Sequence, residues 1–351
     1  MTTNAQLRTS QDRAPTLEST ILHGGRLDLA RKMFPDAPRP WIDLSTGVSP
    51  LPYPMPDLPA EAFTRLPDAD ALDALERAAA RAYRAGRQAQ IVAGAGAQAF
   101  IQWLPLVRPA RRVAVLGLTY EEHTAAWRAS GASVERVATL EELESAEVGV
   151  VVNPNNPDGR LEPRDRLAAA GRRMSRQGRL LIVDEAFMDL LGPSHSVAPL
   201  AAEAGLVALR AFGKAYGLPG ARLGFALCGA ELATRLRRSL GPWSVSGPAI
   251  AIGAAALADE AWLLARAAEL AASAARLDAL LRSAGFEQMG GATLFRLVRH
   301  DEAAKCFAHL GGCGILTRRF GERPDWLRFG IPGTAAAWER LERALESWHG
   351  L

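Results

Sequence analysis

Short, nearly continuous apolar runs alternate with helix-period stretches through the middle of the chain. The runs are RVAVLGL (112–118), VGVVVNP (148–154), RLLIVDE (179–185), LVALRAF (206–212) and RLGFALC (222–228). Such runs, partly β-branched, predict strands buried on both faces, hence a mainly parallel sheet between helix layers. Most end in polar or glycine-rich residues: Tyr120, Asn153 to Asn156, Asp184 with Glu185, and Gly213 with Lys214. In open α/β sheets the carboxyl ends of the strands form the ligand crevice, so these residues are expected to converge. A helix is predicted from Asp70 to Gly86, with Asp70 as cap, Leu72, Leu75, Ala79 and Tyr83 on one face, and Gly86 closing it. The Pro-rich stretch from Pro35 to Pro59 reads as an irregular crossing segment, and the polar residues 1–20 as a frayed end. After PWSVSGPA (242–249) the pattern changes to one Ala/Leu-rich helical stretch reaching Ser283. Strand-like ATLFRLV, GILTRRF and WLRFGIP follow, then a closing helix with Trp338, Leu341, Leu345 and Trp348 on one face.

The composition narrows the class. With 48% apolar and 23% charged residues, 351 residues can bury a sizeable core, here expected in two lobes. The formal charge of +3 is too small to imply nucleic acid or an anionic membrane as partner. No apolar run approaches the roughly 20 residues of a membrane span. MTTNAQLRTSQDRAP lacks the apolar stretch of a signal peptide, so a cytoplasmic protein is expected. Cys228, Cys306 and Cys313 show no CxxC spacing, which argues against a disulfide framework and a zinc site. Of the 41 basic residues only Lys32, Lys214 and Lys305 are lysines. Chemistry needing an amine nucleophile has three candidates.

Lys214 lies in RAFGKAYGLPGARLG, leaving a predicted strand with glycines on both sides and Arg222 eight residues on. It reads either as a surface loop lysine or as an amine that a crowded, partly desolvated strand end keeps neutral enough to form a Schiff base with an aldehyde. Arg222 can then hold a phosphate as a planar fork. Asp184 either caps the next helix or faces a pyridinium nitrogen, a pairing worth ~4 kcal/mol before desolvation at an effective dielectric near 20. NPNNPDG (153–159) is a rigid turn by composition, yet an amide held there can bond a phenolate oxygen on a cofactor ring. Tyr120 is a core or rim tyrosine, or a ring that stacks on a cofactor. GAGAQ (94–98) before an apolar helical run offers bare backbone N–H groups and a helix start to a phosphate. It is not a dinucleotide fingerprint, because Ala99 stands where the third glycine would be, and no GxxxxGK[ST] occurs.

Taken together, ILHGGR (21–26), DLSTGVSP (43–50), NPNNP, DEAF, the Lys214–Gly224 block, PWSV (242–245) and ILTR (315–318) resemble a known family. It is the threonine-phosphate decarboxylase family of cobalamin biosynthesis, within the histidinol-phosphate-aminotransferase-like branch of pyridoxal-phosphate enzymes. The resemblance spans residue 21 to the end and implies the α/β aspartate-aminotransferase-like fold. Residues 1–40 would be an N-terminal segment packing with the small domain, 41–250 the large cofactor-binding domain and 251–351 the small α+β domain. It also implies pyridoxal 5'-phosphate as cofactor, with Lys214 as its Schiff-base lysine, Asp184 at the pyridine nitrogen, Asn156 at the ring oxygen and Tyr120 stacked on the ring. Gly96, Ala97 and Arg222 match the phosphate cup. Arg328 matches the arginine for the substrate carboxylate, and Arg318 and His23 match the substrate-phosphate pocket, a surface salt bridge or structural histidine being the rival reading for these two. Tyr53 is either packing in its loop or a residue reaching the neighbour's cofactor phosphate in a homodimer.

Three positions depart from the family pattern. Ala211 stands where a phosphate-binding Ser or Thr is usual, Phe187 where many aminotransferases carry tyrosine although phenylalanine is familiar in the decarboxylase branch, and Gly47 where the decarboxylases often have asparagine. The implied activity is decarboxylation of L-threonine O-3-phosphate to (R)-1-amino-2-propanol O-2-phosphate. An aminotransferase acting on a phosphorylated amino substrate such as histidinol phosphate is the alternative. A nicotinamide dehydrogenase lacks its third glycine here, and a non-catalytic binding protein conflicts with keeping Lys214, Asp184 and Arg222 together.

Overall fold

The computed structural model describes residues 23–348, so the polar leader 1–20, Ile21, Leu22 and residues 349–351 lie outside it. The strands in chain order are β1 (Ile42–Asp43), β2 (Gln90–Gly94), β3 (Arg112–Leu116), β4 (Ser133–Val137), β5 (Val148–Val152), β6 (Leu180–Asp184), β7 (Leu206–Ala211) and β8 (Gly224–Cys228). Then come β9 (Glu287–Ala292), β10 (Phe295–Arg299), β11 (Ile315–Leu316), β12 (Arg318–Phe320) and β13 (Arg323–Gly330).

Seven strands form one sheet in the order β2-β8-β7-β6-β5-β3-β4, parallel except for β8, which runs against both β2 and β7. The five apolar runs are all strands in it. Their alternate residues feed two cores, one on each face: Leu181, Val183, Leu206 and Ala208 on one side, Leu180, Ile182, Val207 and Leu209 on the other. That two-sided burial is why these strands read as unbroken apolar runs. Two strands give no such run. β4 is an edge strand without a fully buried position, and β2, at the opposite edge, ends in the first glycine of GAGAQ.

The helix expected from Asp70 to Gly86 is Ala69–Ala82, and Asp70 lies inside its first turn rather than capping it. Its stop is Arg84, left-handed at φ 50°, with Ala85 N–H donating to Ala80 O at 2.9 Å. Gly86 is needed for another reason: a Cβ there would sit 2.5 Å from Pro199 O. The single helix expected up to Ser283 is two, Gly247–Ala258 and Glu260–Ser283, bent by 78°. Asp259 makes the break, its carboxylate accepting from Trp262 N–H at 2.9 Å as an N-cap. Among the described residues no single helix is long and apolar enough to cross a membrane.

A second, antiparallel sheet has the order β12-β13-β10-β9, and the closing helix Ala335–Trp348 buries Trp338, Leu341 and Leu345. β1 pairs in parallel with β11, tying residues 42–43 to 315–316. The Pro-rich segment is irregular apart from β1, and a short turn of helix at Glu61–Thr64 follows it. It crosses beside the Lys214 loop, where Ser49 N–H bonds Lys214 O and Tyr53 N–H bonds Tyr216 O, both at 2.9 Å.

Candidate active site

The carboxyl ends of β3, β5, β6 and β7, with the turn after β2, surround a cavity of about 490 Å³. His23, Gly96, Ala97, Tyr120, Asn156, Asp184, Lys214, Arg222, Arg318 and Arg328 all line it. Tyr53 does not; it packs edge-on against Tyr216 and Trp262, with ring centroids 6.3 and 5.0 Å away.

Lys214 sits in a four-residue helical turn, Phe212–Ala215, immediately after β7. Its amine is 5.5 Å from the centroid of the Phe187 ring. Burial, aided by the charge of Arg328, pushes it down to about 8 from the usual lysine range. A neutral amine is therefore available near physiological pH.

Asp184 ends β6 with both carboxylate oxygens occupied. Oδ2 lies 2.9 Å from His123 Nε2 and Oδ1 accepts from Ala186 N–H at 3.0 Å. Asp184 and His123 are both buried. The histidine thus fixes the carboxylate's orientation from behind. Sequence reading missed it, because a single His in EEHTAAW carries no pattern; its only signal is its place one helical turn after Tyr120.

Asn156 and Arg328 meet across 172 residues: Arg328 Nη1 donates to Asn156 Oδ1, and Arg328 Nη2 donates to Ser45 O at 2.9 Å. With Oδ1 so engaged, Nδ2 is the end of the amide left for a ligand. Arg328 is buried, and its Nε finds no hydrogen-bond partner. Burial and the neighbouring Arg318 cation push its guanidinium down to about 9. Arg318 is directly opposite Arg328 on the adjacent strand. Burial lowers it too. Two partly desolvated cations face each other, so the cavity favours an anion.

The turn after β2 is built for close approach. Gly96 has φ +84°, and a Cβ on it would lie 2.8 Å from Arg222 Nη2. A Cβ on Gly224 would lie 2.3 Å from Ala97 N, and Gly224 pairs with Ala211 across β7 and β8. Bare backbone at these two glycines packs the start of the Ala97–Val107 helix beside the Arg222 guanidinium and Ala211. Arg222 itself is left-handed at φ 53°.

On the rim, His23 Nε2 is 3.0 Å from Glu122 Oε1, which sequence reading had not singled out. Gln98 donates to Glu122 at 2.7 Å and accepts from the Tyr120 hydroxyl at 3.3 Å. Burial raises the Tyr120 phenol to about 12, so it stays protonated. The departure at Gly47 has a steric cause: a Cβ there would be 2.8 Å from Phe187 and 3.0 Å from Phe295. Those two rings, edge-to-face at 5.0 Å, fill the space a side chain would take.

The pattern that defines the class I and II aminotransferases matches residues 46–346, and the chain belongs to that family. Within it, the chain is 44% identical over 326 residues to the threonine-phosphate decarboxylase of Pseudomonas aeruginosa, covering 92% of this chain and 96% of that one. It is 42% identical to the threonine-phosphate decarboxylase of a Sinorhizobium species, covering 94% and 98%. The solved histidinol-phosphate aminotransferase of Sinorhizobium meliloti, in complex with pyridoxal-5'-phosphate, superposes with a TM-score of 0.78 at 20% identity, covering 98% of this chain and 99% of that one. That last likeness speaks for the fold.

Proposed function

We propose that this chain is a pyridoxal-phosphate-dependent carboxy-lyase that converts L-threonine O-3-phosphate to (R)-1-amino-2-propanol O-2-phosphate, a step of cobalamin biosynthesis. The observation that carries the reading is the pair Arg318 and Arg328, opposed on neighbouring strands in a cavity that also holds Lys214 and Asp184. A substrate with both a carboxylate and a phosphate matches two such cations. The similarity to the two decarboxylases supports it over most of the chain.

The residues fit the cofactor. Gly96, Ala97 and Arg222 form a cradle that a Cβ at Gly96 would fill, suited to its phosphate. Asp184, braced by His123, would keep the pyridine nitrogen protonated, the Asn156 amide would donate to the ring oxygen, and Tyr120 would cover the ring face. When bound, pyridoxal phosphate supplies an aldehyde for the substrate amine and a protonated ring that draws electrons from Cα. Lys214 supplies the amine that holds that aldehyde and gives it up to substrate, and it remains nearby to move a proton. Arg328, pinned by Asn156 and Ser45, fixes the carboxylate, while Arg318 and His23 take the phosphate and set the rotation about the Cα bonds. That rotation decides whether CO₂ or a proton leaves.

The reading includes a homodimer in which Tyr53 serves the neighbour's cofactor phosphate. Its support is that Tyr53 lies off its own cavity, with Met55, Phe63 and Leu66 exposed on the same stretch. A fully active monomer in sedimentation would refute it. A cytoplasmic setting belongs to the same reading, supported by three cysteines without disulfide-framework spacing.

A panel of phosphorylated amino acids with CO₂ and amine detection tests the activity. CO₂ and aminopropanol phosphate without any keto acid are expected; keto-acid-dependent transamination of histidinol phosphate would overturn the reading. Ala211→Ser tests the cup. A hydroxyl there should tighten cofactor affinity by roughly three- to tenfold, the yield of one added hydrogen bond. Titration of the cofactor-free protein measures it, and unchanged affinity would place Ala211 off the cup.

A further inference from the structure

We propose that Arg136 and Glu322 form a latch that holds the Arg318 hairpin over the cavity and so positions Arg318 for the substrate's phosphate. The inference rests on the function proposed above for its substrate, and on separate geometry for the latch. β12 and β13 pair antiparallel around a tight turn at Gly321 and Glu322, with Phe320 opposite Arg323 and Arg318 opposite Arg328. Like charges directly opposite in a sheet push apart, and here one of them is buried. The hairpin that carries the phosphate arginine therefore needs a restraint beyond its own ladder.

Arg136, on the edge strand β4 of the large sheet, provides one. Its Nη1 lies 2.7 Å from one Glu322 carboxylate oxygen and its Nη2 2.9 Å from the other, a two-point fork spanning 186 residues. The same Nη2 reaches Glu121 Oε1 at 3.3 Å. Glu121 opens the helix Glu121–Ala129, and the next residue, Glu122, holds His23. Both groups assigned to the substrate phosphate are thus tied to one helical turn, Arg318 through Glu322 and Arg136, His23 through Glu122. Arg136 and Glu322 are about half exposed, at 45% and 55%. An exposed pair adds little to global stability, so its effect is local, on the hairpin. Arg136 and Glu322 act as positioning residues; neither lines the cavity.

The test compares wild type, Arg136→Ala, Glu322→Gln and the exchanged pair Arg136→Glu with Glu322→Arg, all as holoenzyme. Hydrogen exchange of the 318–325 amides should speed up in both single variants and return toward wild type in the exchanged pair. KM for O-phospho-L-threonine should rise by about five- to tenfold in the single variants, with any fall in kcat smaller than that rise and KM for unphosphorylated L-threonine unchanged. The exchanged pair should recover part of the loss, since its carboxylate on β4 also faces Glu121. Unaltered exchange in the single variants, or equal KM losses with both substrates, overturns the latch. If wild type does not turn over phosphothreonine, the proposed function fails instead, and the exchange data alone decide the latch.

Discussion

Lys214→Ala is expected to lower turnover by roughly a thousandfold or more, the range that positioned nucleophiles and proton-transfer groups command. Borohydride should no longer fix the cofactor to the chain. The expectation follows from position: Lys32 and Lys305 do not line the cavity, whereas Lys214 does, next to Asp184 and Arg222. Its amine is pushed down to about 8, so covalent uptake of pyridoxal phosphate by the cofactor-free protein should accelerate as pH rises through that value. The same shift bears on stability. A lysine whose folded value is lowered binds fewer protons folded than unfolded, so the penalty is complete below about 8 and is relieved as pH rises toward 10.5. Cofactor-free Lys214→Met, which buries no charge, should therefore melt higher than cofactor-free wild type at pH 7. Borohydride labelling at Lys32 or Lys305, or a variant that keeps its activity, would refute the assignment.

The second large effect separates the two arginines. Arg318→Ala should reduce kcat/KM for the phosphorylated substrate by roughly ten- to a hundredfold, the loss of one charge-assisted contact, and leave the unphosphorylated analogue nearly untouched. Arg328→Ala should impair both substrates, because every α-amino acid presents a carboxylate. Its loss should be larger, roughly a hundredfold or more, since removing one partner of a buried charged contact strands the other. It also removes the donors that hold Asn156 Oδ1 and Ser45 O, so the Asn156 amide loses its anchor in the cavity wall. Equal losses with both substrates in Arg318→Ala would make that arginine structural and leave the phosphate to His23 alone. Steady-state kinetics with threonine phosphate and threonine decide between these outcomes.

What the sequence revealed followed from local physics. Strands buried on two faces must be apolar throughout, so β3, β5, β6, β7 and β8 were visible as runs, and the polar residues at their ends marked the cavity. A lysine and an arginine set among glycines, an aspartate ending an apolar strand and an amide between prolines each stand within a few positions of their motif. Where stability comes from elsewhere, local pattern misleads. β4 is an edge strand with polar positions, the Asp70 helix ends on a left-handed arginine rather than a glycine, and one carboxylate at Asp259 divides a long apolar stretch.

The sequence by itself determined the layered fold and the residue types that line the cavity, because periodicity and strand-end chemistry are written within short windows. Tertiary structure alone decided how those residues are held. His123 backs Asp184 across 61 positions, Arg328 grips Asn156 across 172, and Arg136 reaches Glu322 across 186. A hydrogen bond depends on where two atoms end up after the whole sheet has twisted and its crossovers have closed, and no local pattern encodes that separation. The glycines tell the same story. Gly96 and Gly224 look alike in the sequence as turn and strand glycines, yet a Cβ on one would strike a guanidinium and on the other a backbone nitrogen. Which atom lies there is a property of packed space, and it is this packing that turns a set of suitable residues into a site.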